Sequence, residues 1–161
     1  MTEAADAQFY PWQAPLKARI ARLHGADTLP HALLLSGPRH LGKRAFAAAV
    51  AGAMLCRRPL DGDRCGECED CLLFTAGTHP DYRRIFPEER SGGKSTGEMN
   101  ERKLIVIDQI RDLIEWANQT AQRGGMKTVV IHPAEQMNVN AANALLKCPR
   151  RAGGRNPHYA R

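Results

Sequence analysis

The sequence predicts an α/β fold whose sheet is largely parallel and flanked by helices. Short apolar runs at 31–36 (HALLLS) and 127–132 (KTVVIH) read as buried strands, bounded by glycine or proline. Segments with helical apolar spacing alternate with them. A glycine-framed turn, Gly37 to Gly42, joins the first run to an alanine-rich stretch, the strand–turn–helix unit from which parallel sheets are assembled. The 161 residues are enough for one domain with a real core, and 43% apolar with 25% charged residues is ordinary for a soluble globular chain.

The elements follow in order. Pro15 suits the first turn of a helix, where its missing N–H is not needed. Leu16, Ile20 and Leu23 recur at helical spacing, and Gly25 is a stop. After the 31–36 run and its turn, Lys43 to Leu55 reads as a helix. Asp81 to Phe86 (DYRRIF) reads as a further strand. The polar stretch 87–102, with Gly92, Gly93 and Gly97, reads as a mobile loop. Ile107, Ile110, Ile114 and Ala117 mark a helix face between Asp108 and Gln122, ended by Gly124 and Gly125. Pro133 stops the 127–132 strand, and Asn140 caps a last helix, Ala141 to Lys147. No internal repeat is visible.

Gly37-Pro38-Arg39-His40-Leu41-Gly42-Lys43-Arg44 follows the phosphate-loop pattern G-x-x-x-x-G-K and departs from it at the last place. Glycines let backbone N–H groups wrap a phosphate, a helix N-terminus favours negative charge, and Lys43 can reach outer phosphates. Arg44 stands where Ser or Thr would bind Mg²⁺, so no Mg²⁺ site is expected. A nucleotide hydrolase also needs a carboxylate at the end of a second strand. That place holds His132 and Pro133, with Glu135 two residues further on. Hydrolysis is therefore not expected, and ATP binding without turnover stays open. The bland alternative is an ordinary strand–turn–helix corner with a surface lysine.

Cys65-Gly-Glu-Cys68-Glu-Asp-Cys71 has C-x₂-C-x₂-C spacing, with Cys56 upstream. Four thiolates satisfy tetrahedral Zn²⁺, and such a site stabilises a small loop with little core of its own. An iron–sulfur cluster also uses four cysteines. With no redox motif alongside, structural zinc is the reading. The fifth cysteine, Cys148, is not expected to be a ligand.

Lys plus Arg number 23 and Asp plus Glu 17, a net charge of +6. That resembles a nucleic-acid binder. However, Lys147, Arg150, Arg151, Arg155 and Arg161 fall in the last fifteen residues, and without them 18 basic groups face 17 acidic ones. The rest of the chain supports no DNA-binding claim. The start, Met1 to Gln8, is polar, and no apolar run approaches the ~18 residues of a membrane span. A cytoplasmic protein without membrane partners is expected.

These pieces come in a telling order. Tyr10-Pro11-Trp12, the degenerate phosphate loop and the Cys₄ insert precede Ala76-Gly77-Thr78-His79-Pro80-Asp81-Tyr82. Then follow Ile107-Asp108-Gln109-Ile110-Arg111 and Ala141-Ala142-Asn143-Ala144-Leu145-Leu146-Lys147. From about residue 9 to 147 this closely resembles the N-terminal part of the delta-prime subunits of bacterial DNA polymerase III clamp loaders. The resemblance implies that residues 1–147 are part of an AAA+ ATPase-type domain with a zinc module inserted at about 56–71. It implies a stator in a five-subunit ring that opens a sliding clamp and loads it on primed DNA. Its partners would be the delta and gamma/tau subunits, with clamp and primed DNA met through the complex. The related gamma/tau subunits keep an intact phosphate loop and an acidic second strand, so the departures here favour delta-prime. No ATPase activity is expected from the chain itself, although the family is part of the DNA-directed DNA polymerase III holoenzyme, a nucleotidyltransferase.

The family continues after the last motif with Thr-Leu-Glu-Glu-Pro, a strand, and a Ser-Arg-Cys motif whose arginine completes a neighbour's ATP site. Here residues 148–161 are instead rich in Arg, Gly and Pro, and no Ser-Arg-Cys occurs. They read as an aberrant basic tail left by a frameshift or truncation, or else as a natural tail. The sheet is accordingly expected to be incomplete at its C-terminal side. Two other functions compete: a working phosphate-loop ATPase resting on Lys43, and a small zinc-containing nucleic-acid-binding protein resting on the cysteines and the tail.

Overall fold

The computed structural model describes residues 7–87, 104–123 and 125–147. The expected loop at 87–102 (Pro87 apart) and the tail at 148–161, with Cys148, lie outside them. The described elements are a 3-10 turn at Pro11–Gln13, α1 (Ala14–Gly25), α2 (Lys43–Leu55), α3 (Glu69–Ala76), β1 (Tyr82–Ile85), α4 (Ile107–Asn118), β2 (Thr128–Ile131), a 3-10 turn at Ala134–Gln136 and α5 (Val139–Leu146). They fall into two compact units: 7–82 with 121–123 and 125–130, and 83–87 with 104–120 and 131–147.

The first unit is built on α2. Its alanine-rich face buries Ala48, Ala49 and Ala51 against Phe74 of α3, with Phe9, Tyr82 and Val130 packed alongside. Small side chains allow close approach. A Cβ on Gly52 would sit 3.0 Å from the Phe74 ring, so this glycine makes room for a fully buried phenylalanine. On another side of the helix Phe46 and Val50 pack with Ile20 of α1. In the second unit Ile110, Leu113 and Trp116 recur at helical spacing on the buried face of α4, and Ile105 and Ala141 are buried too.

The strands β1 and β2 pair side by side. Thr128 N donates to Asp81 O and His132 N to Ile85 O, an equal offset that makes the pair parallel. Three expectations need correction, and one helix was not foreseen. Residues 31–36 are not a strand: a strand needs a neighbour's backbone groups, and no described segment supplies them. Leu35 packs on the core, whereas Leu34 is 84% exposed. The helix expected to reach Gln122 ends at Asn118, because Asp81 captures the N–H groups of Gln122 and Arg123 and bends the chain away. The last helix is capped by Asn138 rather than Asn140, its Oδ1 accepting from Ala141 N at 2.8 Å. The helix α3 was not expected; it begins inside the cysteine segment.

Candidate functional site

Two sites anticipated from sequence lie in the first unit. At the glycine turn, Gly37, Gly42, Lys43 and Arg44 form one corner at the N-terminus of α2. Gly42 is the helix N-cap residue, in the left-handed region at φ 74°. Lys43 reaches back, and its Nζ donates to the carbonyl oxygens of Gly37 at 2.9 Å and Pro38 at 2.6 Å. The ammonium that could meet a phosphate is thus engaged by the loop's own backbone. Arg44 lies exposed on the first turn of α2.

The N-terminal segment straps this corner, a feature sequence reading missed. Gln13 Nε2 donates to Leu41 O at 2.9 Å, and its Oε1 accepts from Tyr10 N at 3.0 Å. Trp12 Nε1 donates to Leu41 O at 3.4 Å. The Tyr10 and Trp12 rings stack with centroids 4.8 Å apart. The Tyr10 ring lies so close to Gly42 that an added Cβ would be 2.5 Å from it. Tyr10-Pro11-Trp12 was legible as a signature, but nothing in sequence tied it to a loop some thirty residues away.

The cysteine cluster assembles as expected. The Sγ atoms of Cys56, Cys65, Cys68 and Cys71 lie within 4.8 Å of one another, with Cys56–Cys68 and Cys65–Cys71 each at 3.9 Å. A tetrahedral ion with metal–sulfur bonds of ~2.3 Å requires sulfur–sulfur edges of ~3.8 Å, so the donor set fits a four-thiolate metal site. Backbone N–H groups already face sulfur. Arg58 N and Cys65 N donate to Cys56 Sγ at 3.4 and 3.3 Å, and Cys68 N donates to Cys65 Sγ at 3.4 Å. Hydrogen bonds from the Cys68 and Glu67 backbone pull the Cys65 thiol down to about 6, so it is a ready thiolate. Burial pushes Cys56 and Cys71 upward. A cation at the centre reverses that penalty, because it is the charge their thiolates lack.

The cysteine segment is held from several directions. Lys17 of α1 pairs with Asp63, and a Cβ on Gly62 would come 2.9 Å from that of Ala21. Asp70, buried between two of the cysteines, accepts from Arg57 Nε at 2.6 Å and Arg123 Nε at 2.7 Å. Burial alone would raise its carboxyl, but these guanidinium bonds win and hold it below the usual aspartate range. Arg123 also binds Glu69 through both terminal nitrogens. His79, buried nearby, accepts from Asp81 N at its Nδ1, so Nε2 carries the hydrogen and faces Asp70 Oδ1 at 3.5 Å. Burial lowers its affinity for a second proton. In the second unit His132, at the end of β2, is half-buried, and Glu135 is exposed on the following turn.

The sequence model of the family described as DNA polymerase III, delta subunit, matches residues 12–149. The chain is 49% identical over 141 residues to the DNA polymerase III subunit delta' of Pseudomonas aeruginosa, covering 88% of this chain and 39% of that protein. It is 35% identical over 140 residues to its Escherichia coli counterpart, covering 87% and 39%. With the subunit of the same name from Bacillus subtilis it shares 32% over 123 residues, covering 75% and 32%. The chain thus spans about two-fifths of the length of these relatives or less. Among the described residues no helix is long and apolar enough to cross a membrane. The chain belongs to the delta-prime subunit family of DNA polymerase III.

Proposed function

We propose that this chain is a non-catalytic subunit of a DNA polymerase III clamp loader, helping to load the sliding clamp on primed DNA during replication. Family membership over residues 12–149 is the observation that carries this reading. On it, residues 1–147 belong to an AAA+ ATPase-type domain, and 148–161 lie outside it. The subunit works in the cytoplasm as a stator. It contacts delta and gamma/tau, and meets clamp and primed DNA through the complex.

The local chemistry supports the non-catalytic part. Arg44 offers no hydroxyl for Mg²⁺. An entering phosphate has to draw Lys43 from two carbonyls, each such bond contributing on the order of 1 kcal/mol net. Trp12 and Gln13 meanwhile hold the loop at Leu41. We assign the cysteine site to structural Zn²⁺. Four thiolates leave no open position for a reacting group, so the ion would supply folding energy rather than chemistry.

ATP turnover by the purified chain with Mg²⁺ tests this reading. The expected result is none above background. Turnover that disappears in Lys43→Ala would overturn it in favour of an ATPase. DNA binding that falls with salt and survives deletion of 148–161 would favour the nucleic-acid-binding reading instead.

A further inference from the structure

We propose that Arg123, more than fifty residues in sequence from any of the four clustered cysteines, is a positioning residue of the metal module and sets how fast the module gives up its ion. The inference rests on the reading of the four cysteines as a metal site.

Arg123 joins two groups of residues that the chain itself does not join. Its side chain grips Asp70 at 2.7 Å and Glu69, the first two residues of α3. Cys68 stands immediately before them and Cys71 immediately after. The same Asp70 takes Arg57 Nε on its other oxygen at 2.6 Å, and Arg57 directly follows Cys56. One buried carboxylate thus ties the strand of chain bearing Cys56 to the helix start bearing Cys68 and Cys71, and Arg123 completes its neutralisation. The Arg123 backbone is fixed as well: its N–H donates to Asp81 Oδ2 at 2.8 Å, beside Gln122 N on Oδ1. The guanidinium therefore reaches the cysteine module from a braced turn, not from a free loop.

Two glutamate or aspartate charges at a helix N-terminus are favoured by the helix dipole, but a buried one without its partner is not. Removing the Arg123 guanidinium leaves Asp70 with Arg57 as its one guanidinium donor, and Arg57 is half-exposed. The carboxylate is then free to turn toward solvent, and the first turn of α3 shifts with it. Groups bonded directly to metal ligands typically change metal affinity 10- to 100-fold when lost, and Arg123 acts one residue further out, through Asp70 and Glu69, so the lower end of that range applies.

The test follows Zn²⁺ release from the full chain to an excess of a chromophoric chelator. In Arg123→Met release should accelerate about 10-fold, while the Co²⁺-substituted form keeps its four-thiolate absorption bands. Arg123→Lys keeps the charge and loses the planar fork, so it should fall between the two, and it serves if the methionine variant does not fold. Release within twofold of the unsubstituted chain in the folded variants would overturn the proposal. Arg111→Met, in an exposed pair with Asp108, is the control expected to change nothing. The coupling must also run backwards. Stripping the ion from the unsubstituted chain should speed amide exchange at Gln122 and Arg123, and unchanged exchange would equally overturn it. If the unsubstituted chain binds no metal at all, the reading of the cysteines fails and takes this inference with it. If it binds metal and Arg123 variants release it at the same rate, this inference alone fails.

Discussion

Replacing Gly42 by alanine separates a phosphate cradle from a structural corner. Gly42 has φ 74°, and the new Cβ would lie 2.5 and 2.8 Å from two atoms of the Tyr10 ring and 3.3 Å from Gln13 Nε2. The left-handed backbone alone costs an alanine roughly 1–2 kcal/mol. The ring has to move, and losing its stack on Trp12 removes roughly 0.5–1.5 kcal/mol more. With weakened Gln13 bonds the sum is about 2–4 kcal/mol. For a chain of this size that lowers the melting temperature by roughly 5–15 °C. Thermal unfolding by circular dichroism, without nucleotide, measures it. Gly25→Ala is the reference, because nothing lies within 4 Å of its added Cβ at the end of α1. That change should be neutral or slightly stabilising. In a Tyr10→Ala background Gly42→Ala should cost only its backbone share. A Gly42→Ala melting point within 1–2 °C of the parent, or an undiminished cost without the tyrosine ring, would refute the strap.

Two further outcomes are expected. Cys68→Ala should reduce bound zinc from one equivalent to none by elemental analysis and loosen the module, with little effect at the glycine corner; retained stoichiometric zinc would defeat the assignment. Burial keeps His79 below its ordinary value, so an unfolded chain protonates first. Stability from this residue is complete above about 6.5 and is lost as pH falls below it. Between pH 7.5 and 5.5 the parent should therefore lose more melting temperature than His79→Gln, and equal losses would remove His79 as the cause.

What could be read from sequence was local. Lys43 to Leu55 was legible as a helix to the residue, because alanine content and the flanking glycine corner agree. Cys65, Cys68 and Cys71 were legible as a set because C-x₂-C spacing brings sulfurs close together, with Cys56 the nearest upstream cysteine to complete it. The illegible parts depend on distant partners. Residues 31–36 have the apolar content of a strand, but strand formation is decided by a neighbour, not by composition. The early end of α4 depends on Asp81, about forty residues before the turn it captures. Arg123 looked like any surface arginine, and His79 and Asp81 like signature residues without a stated task. Their roles come from burial beside one another, which no periodicity encodes.

Asp81 holds its turn by the main chain. Both carboxylate oxygens accept from backbone N–H groups, and neither asks anything of the Gln122 side chain. Such an anchor reads spacing and ignores identity. Substitutions at position 122 other than proline, which has no N–H to give, should be tolerated, whereas a one-residue insertion between 118 and 123 would slide the wrong amides under the carboxylate and carry Arg123 out of reach of Asp70. Length, rather than composition, is what this stretch of the chain can least afford to change.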